Sequence, residues 1–295
     1  MAASRPLVTD AVRAEVKAMR KVVYTCTFAD YDTLLSPIRR TEGAEFLHFS
    51  DKPASFATAW QHRTLPEAVS ARPQNEANRY CKLFPHRVLP QTDVSIYVDG
   101  NILLLDDLTP LIEAFVASGA DIALFPPNHP RSVAQEIELV LKGDRLTPER
   151  AEAARKELSV YRREGHSDLP VTMNGILFRR HGRPRLEALM QAWWDEITRW
   201  AMRDQFSLPR LLAASDVTVH AWDFPYGWGD PYFLRLPHLP KTYARKFGWV
   251  SDTVVAARML SPYKPLCRLV HYPEAAIRRL TSGALDLAPR IDQQE

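Results

Sequence analysis

A chain of 295 residues that is 46% hydrophobic and 25% charged has the balance of a soluble globular protein. It is long enough to bury a sizeable core as one large α/β domain or two smaller ones. The 38 Lys and Arg against 35 Asp and Glu leave a formal charge of +3, which excludes a nucleic-acid wrapper held by bulk charge and permits, without requiring, an anionic substrate. The widely separated Cys26, Cys81 and Cys267 match no metal-ligand spacing and cannot all pair within one chain, so a reduced, cytoplasmic setting is expected. The N-terminus lacks the apolar core of a signal peptide, and no apolar run approaches the roughly 18 residues needed to cross a bilayer, so work at a membrane would be peripheral, at its inner face.

Residues 1–20 set Val12, Val16 and Met19 among Arg13, Glu15, Lys17 and Arg20 and read as an amphipathic arm packed on the domain. Lys21 to Phe28, rich in β-branched and aromatic residues, is predicted as the first strand and opens into the polar loop Ala29-Asp30-Tyr31-Asp32. Glu45 to Phe49 is a second strand running into Ser50-Asp51-Lys52-Pro53, with a carboxylate at its end. Segment 53–73 reads as a long loop. Glu76 to His86 can be helical, placing Arg79 and Lys82, spaced i, i+3, on one face; from the pattern alone a solvated face is the simpler reading.

Asp93 to Asn101 follows, a buried strand that ends abruptly in polar side chains: Ile96 and Val98 alternate with Ser95 and Tyr97 before Asp99-Gly100-Asn101. Ligands of open α/β sheets bind at the carboxyl ends of strands, so Asp99 and Asn101 would point oxygens into a site. Two oxygen ligands could hold one face of Mg²⁺ or Mn²⁺, with water and phosphate completing the shell. As a bare tripeptide, the same residues are an ordinary turn.

Leu108 to Ser118 is predicted as a helix, Asp121 to Phe125 as a buried strand, and Pro126 to Arg131 as a stiff loop. A helix starts near Ser132, with Glu136 as its first-turn partner, and another after Thr147-Pro148-Glu149, ending near Gly165. Val171 to Arg179 is a strand in which Asn174-Gly175 signals a bulge or a close approach to ligand. Leu186 to Trp200 is an amphipathic helix with Trp193 and Trp200 in the core and Trp194 free to face elsewhere, Asp204 to Ala214 a helix interrupted by Pro209, and Val217 to His220 a short strand. This order argues for an α/β sandwich with a mainly parallel central mixed sheet and carboxylates at its strand ends. With neither repeat nor linker, one domain over residues 21–240, preceded by the arm and followed by a basic, aromatic extension over 241–295, is the economical division.

The ordered set of motifs is more specific than any one of them. Residues 22–32, Phe49-Ser50-Asp51, Asn78 to Lys82, Ser95 to Asn101, His129-Pro130-Arg131, Trp193 to Glu196 and Arg203-Asp204-Gln205 together resemble the glycosyltransferase-like family named after a turgor-regulation-defect protein and a mucilage-related protein. The resemblance spans roughly residues 22–215. It implies a GT-A-like, Rossmann-like nucleotide-sugar-binding sandwich, a divalent metal (Mn or Mg) on an Asp-x-Asp element, and transfer of a hexosyl or uronosyl group, with UDP inferred from related enzymes. Here the element is Asp99-Gly100-Asn101, whose amide brings an oxygen but no charge. A looser similarity to retaining enzymes of the glycogenin group lies in Asn174-Gly175 followed by Asp204-Gln205.

The resemblance assigns roles. Asp99, with Arg79 or Lys82, would face the donor diphosphate; Asp51 would meet the ribose or base, flanked by Thr25 and Phe28; Asn174 and Gly175 would line the donor sugar. Asp204 and Gln205 are the catalytic candidates: under retention Gln205 supports positive charge on the sugar and Asp204 orients a hydroxyl, whereas under inversion Asp204 is the general base. As a local feature Asp204 is simply a helix cap. His129, Arg131, Trp222 and Trp228 are acceptor-side candidates, and His238 a third metal ligand beside Asp99 and Asn101. The expected partners are a nucleotide-sugar donor and a polysaccharide or glycolipid acceptor, with no nucleic acid and with peripheral membrane contact through the tail. Two rivals stay open: a metal-assisted, ceramidase-like lipid amide hydrolase, and a nucleotide-sugar binder without turnover.

Overall fold

The computed structural model describes residues 8–235 except 30, 31, 33, 54–57, 144, 145 and 227–230. In chain order the elements are α1 (Asp10–Ala18), β1 (Lys21–Cys26), β2 (Ala44–Phe49), β3 (Gln61–Arg63), α2 (Glu67–Ser70), α3 (Gln74–Leu83), α4 (Pro85–Val88), β4 (Val94–Val98), β5 (Ile102–Leu104) and α5 (Thr109–Ala117). They continue with β6 (Ile122–Phe125), α6 (Val133–Lys142), α7 (Pro148–Glu164), β7 (Met173–Arg180), α8 (Pro184–Arg199), α9 (Asp204–Ala213), β8 (Val219–Ala221) and β9 (Phe233–Arg235).

Seven strands form one mixed sheet in the order β3-β2-β1-β4-β7-β6-β8, and β5 pairs with β9 in a small second sheet. β3, β2, β1 and β4 run parallel, whereas β7 is antiparallel to both β4 and β6. Every residue of β1 and β4 is buried, as strands covered on both faces require, and this is why their sequences are mostly apolar, with only Lys21, Thr25 and Ser95 polar. The reversed β7 has a direct consequence for the site. Val98 at the end of β4 pairs with Ile176 near the start of β7, and the Asp99 N–H then donates to the Gly175 carbonyl at 2.8 Å. Two motifs far apart in the chain are joined by one strand pairing.

The sheet divides the core. Val23, Ile96 and Phe178 face a cluster with Phe115 of α5 and Trp222, while Tyr24, Tyr97 and Leu177 face Cys81 of α3 and Trp193 of α8. A third cluster joins α6, α7 and α9 through Ile137, Leu158, Tyr161 and Phe206. The expected α/β sandwich with a mainly parallel mixed sheet is the architecture observed.

Several local expectations change. Segment 53–73 contains β3 and α2: β3 adds to the open edge of β2 through its backbone, with Gln61 and Arg63 exposed, so no apolar pattern announces it. α6 starts with a capping box between Ser132 and Gln135, while Glu136 turns instead to Arg131, 3.2 Å away. α9 continues through Pro209. Trp193 is fully buried as expected, but Trp200 is half-buried and Trp194 packs on Tyr80 and Phe84. The Asn174-Gly175 signal falls where the β6–β7 register shifts, Ala123 facing Phe178 but Phe125 facing Met173. Residues 241–295 lie outside the described residues.

Candidate active site

Lys82, in the last turn of α3, is the centre of the site. It is 1% exposed, and its Nζ lies 2.6 Å from Asp204 Oδ2 and 3.4 Å from Asp99 Oδ1, above the Tyr97 ring at 5.0 Å. Tyr97, one turn of the pleat before Asp99, donates its hydroxyl to the same Oδ1 at 2.8 Å. Arg79 sits one helical turn back on the same face, 3.9 Å from Asp204 Oδ1. The i, i+3 pair thus shares a face as its spacing requires, but that face looks into the protein, not into solvent.

Asp204 is 5% exposed. Burial alone would raise its pKa, yet Lys82 and Arg79, aided by Arg203, hold it well below the usual carboxylate range. Asp204 is the first helical residue of α9 and not its cap, which is Arg203. Its carbonyl accepts hydrogen bonds from Asn174 Nδ2 at 3.2 Å and Trp193 Nε1 at 3.1 Å, and Thr172 Oγ1 donates to Asn174 Oδ1 at 2.8 Å. Asn174 is therefore a brace between β7 and α9. Gln205 is half-buried, its amide 4.0 Å from Met173 Sδ.

Gly175 separates these groups by having no side chain. A Cβ there would collide with the Tyr226 hydroxyl oxygen and stand 3.0 Å from Asp99 Oδ2. Tyr226 accepts the Gly175 N–H at 3.1 Å and is buried among Phe125 and Phe233. Gly100 is crowded in the same way, with a Cβ placed 2.7 Å from Thr27 Cγ2 and 3.3 Å from Asp32 Cβ. Asp32 therefore lies beneath the Asp99-Gly100-Asn101 turn. Neither Tyr226 nor Asp32 was singled out from sequence for this position; the signals were the polar loop after β1 and the dense aromatic stretch after Trp222.

Around this centre the other candidates scatter. Thr25 and Phe28 are core residues, 2% and 6% exposed, so neither stands open at the strand exit. Asp51 is exposed at the end of β2. Between them Thr27 Oγ1 and His48 Nε2 lie 2.6 Å apart, and Asn78 Nδ2 donates to the Cys26 carbonyl at 2.7 Å, tying α3 to the end of β1. His129 is exposed on its loop, while Arg131 is held by Glu136. Trp222 stacks on Phe125 at 5.6 Å and is 6% exposed; its ring is part of the core and has no face left for an acceptor sugar. Trp228 and His238 lie outside the described residues.

Among the described residues no group of three His, Cys, Asp or Glu could hold a metal ion. Asp99 nevertheless suits a hard cation that takes most of its shell from water and substrate, while Asn101, the other expected ligand, is 5% exposed. Asp99 Oδ1 is engaged by Tyr97 and Lys82, its Oδ2 has no hydrogen-bond partner among the described residues, and the side chain is 32% exposed. Gly175 keeps the adjoining space clear, and a carboxylate oxygen is a donor that Mg²⁺ or Mn²⁺ accepts when water and phosphate oxygens complete the shell.

Buried charges gather near the carboxyl end of β4, beside a glycine with no room for a side chain, and strand ends are where open α/β sheets carry their ligands. Residues 59–221 match the family described as TOD1/MUCI70, glycosyltransferase-like domain, and the chain belongs to that family. The matched stretch contains Arg79, Lys82, Asp99, Asn174, Gly175 and Asp204. It begins later than the resemblance over residues 22–215 and ends close to it. Among solved structures, apo mouse xyloside xylosyltransferase 1 is similar, with a TM-score of 0.43 and 11% identity over 70% of this chain and 85% of that chain. No curated protein sequence matches significantly. No helix among the described residues is long and apolar enough to cross a membrane.

Proposed function

We propose that this glycosyltransferase-like domain moves a sugar from a nucleotide diphosphate donor, UDP being the nucleotide expected from related enzymes, to a polysaccharide or glycolipid acceptor. The observation that carries the reading is the Lys82 ammonium buried between Asp99 and Asp204. In such a transfer the leaving diphosphate gains negative charge while the anomeric carbon becomes cation-like. Arg79 and Lys82 supply fixed positive charge, and Asp99 and Asn101 would hold a divalent cation. When bound, that cation neutralises the diphosphate as the glycosidic bond breaks.

The electrostatics of Asp204 favour one of the two stereochemical readings. A general base works best with a pKa near the working pH, and Asp204 is displaced the other way. A permanently ionised carboxylate suits a group that orients a donor hydroxyl and faces developing positive charge, with Gln205 beside it. This supports retention over inversion. The amide-hydrolase alternative finds no zinc-type ligand cluster among the described residues. Release of UDP from UDP-sugars with Mn²⁺, followed chromatographically, tests the proposal: the native domain should release UDP and Asp204→Asn should lose at least about a hundredfold in rate. Release of fatty acid from a ceramide without any nucleotide chemistry would reject it.

A further inference from the structure

In the third core cluster, α7, α8 and α9 meet around one hydroxyl that serves two carboxyl groups. The Tyr161 oxygen lies 3.1 Å from Glu157 Oε1 and 2.9 Å from Glu196 Oε1. A phenol has a single proton to donate. With both glutamates ionised, one contact would set lone pair against lone pair. Both contacts are hydrogen bonds only if one glutamate carries its own proton and donates it to Tyr161, while Tyr161 donates to the other.

The surroundings decide which. Glu196 has Arg210 at 3.4 Å and accepts the Trp200 indole N–H at 3.2 Å, a cation and a donor of its own. Glu157 is 1% exposed and forms no ion pair among the described residues. Burial pushes its pKa up to about 8, the direction that the geometry requires. Of the remaining charged groups on the packed helices, Arg210 also pairs with Glu164 at 3.3 Å, Glu164 lies 4.0 Å from His166, Glu138 pairs with Arg162, and Glu136 turns to Arg131.

Trp200, Ala201 and Met202 form the turn from α8 into α9, with Met202 at a φ of +59°, and Asp204 and Gln205 follow directly. We propose that Glu157 is a neutral carboxylic acid which, through Tyr161 and through Glu196, the acceptor of the Trp200 indole N–H, positions the turn presenting Asp204 and Gln205, and that its ionisation loosens this turn. The relevance of that turn to sugar transfer rests on the function proposed above; the place of the proton does not.

Glu157→Gln keeps the shape and hydrogen-bonding donor of the neutral acid but cannot ionise. Infrared difference spectra of native protein against E157Q at neutral pH should show a carboxylic-acid carbonyl band that titrates away near pH 8. Amide exchange at Ala201 and Met202, corrected for its intrinsic rise with pH, should accelerate about tenfold across that titration in the native protein and stay level in E157Q. Tyr161→Phe should accelerate it on both sides of the titration. Absence of the acid band at neutral pH, or the same acceleration in E157Q as in the native protein, would overturn the assignment. The native band reads the proton even where a variant does not fold. Neither readout needs a substrate, so inactivity with every nucleotide sugar would remove the role given to Asp204 and leave the acid in place.

Discussion

Lys82 Nζ lies 2.6 Å from Asp204 Oδ2, with both side chains almost completely buried. A buried pair is costly to break because the survivor keeps its desolvation penalty. Lys82→Met should therefore destabilise the domain by about 3 kcal/mol, read by urea unfolding, since Arg79 at 3.9 Å compensates only in part. The double variant Lys82→Met with Asp204→Leu should recover much of that stability while remaining inactive. Such recovery separates the structural worth of the pair from its chemical use.

Gly175 is predicted to tolerate no side chain. Gly175→Ala should cost about 1–3 kcal/mol, as overpacking does, and should push Asp99 off its position. Tyr226→Phe removes the colliding oxygen but leaves the Gly175 N–H without its acceptor. The two changes should therefore be non-additive, the double variant being more stable than the sum of the singles implies; a thermodynamic cycle from chemical denaturation measures this.

Asp121 gives the fold an acid-sensitive clamp. It is fully buried, with Arg185 Nε at 2.6 Å and the Thr218 N–H at 2.8 Å. Burial works to raise its pKa, and the hydrogen bonds from Arg185 and Thr218 outweigh it, so the folded value lies below the ordinary one. A depressed carboxylate stabilises fully above its unfolded value of about 3.9 and loses that contribution as pH falls through the folded value. Asp121→Asn should cost about 2 kcal/mol at neutral pH and flatten the acid limb of a melting-temperature profile.

Asn101 offers an oxygen without charge, and Asn101→Asp should tighten Mn²⁺-dependent binding of UDP by about tenfold, in keeping with the dependence of cation affinity on ligand charge. Calorimetric titration of UDP at fixed Mn²⁺ checks it. An unchanged affinity would show that the residue lies outside the cation's shell.

What could be read ahead of the structure follows from where burial leaves a mark on the chain. β1, β2 and β4 are covered on both faces, so most of their residues are apolar or β-branched, with Lys21, His48 and Ser95 as buried polar exceptions. Arg79 and Lys82 were legible as a pair because helical spacing is local. Their direction was not: whether a cationic face looks inward depends on Asp99 and Asp204, which arrive from elsewhere in the chain. β3 and β5 each have three residues and pair through backbone, which side-chain pattern does not encode. Trp222, an acceptor-side candidate, and Tyr226 lie in a segment without helical or strand periodicity, yet such a segment can pack as tightly as a helix, and Phe125 holds both rings. Glu157 and Tyr161 raised no signal, since the second partner of the Tyr161 hydroxyl, Glu196, arrives from α8.

The central claim is a nucleotide-sugar donor site built around Lys82. A thermal-shift screen of nucleotide sugars, with and without Mn²⁺, tests it most directly because a ligand bound only by the folded state raises its melting temperature by mass action. At least one nucleotide-diphosphate sugar, a UDP-sugar first, should stabilise the native domain by several degrees and fail to do so for Lys82→Met. No shift of the native domain by any nucleotide diphosphate or its sugar, with or without Mn²⁺, would mean that Lys82 does not belong to a nucleotide-sugar site.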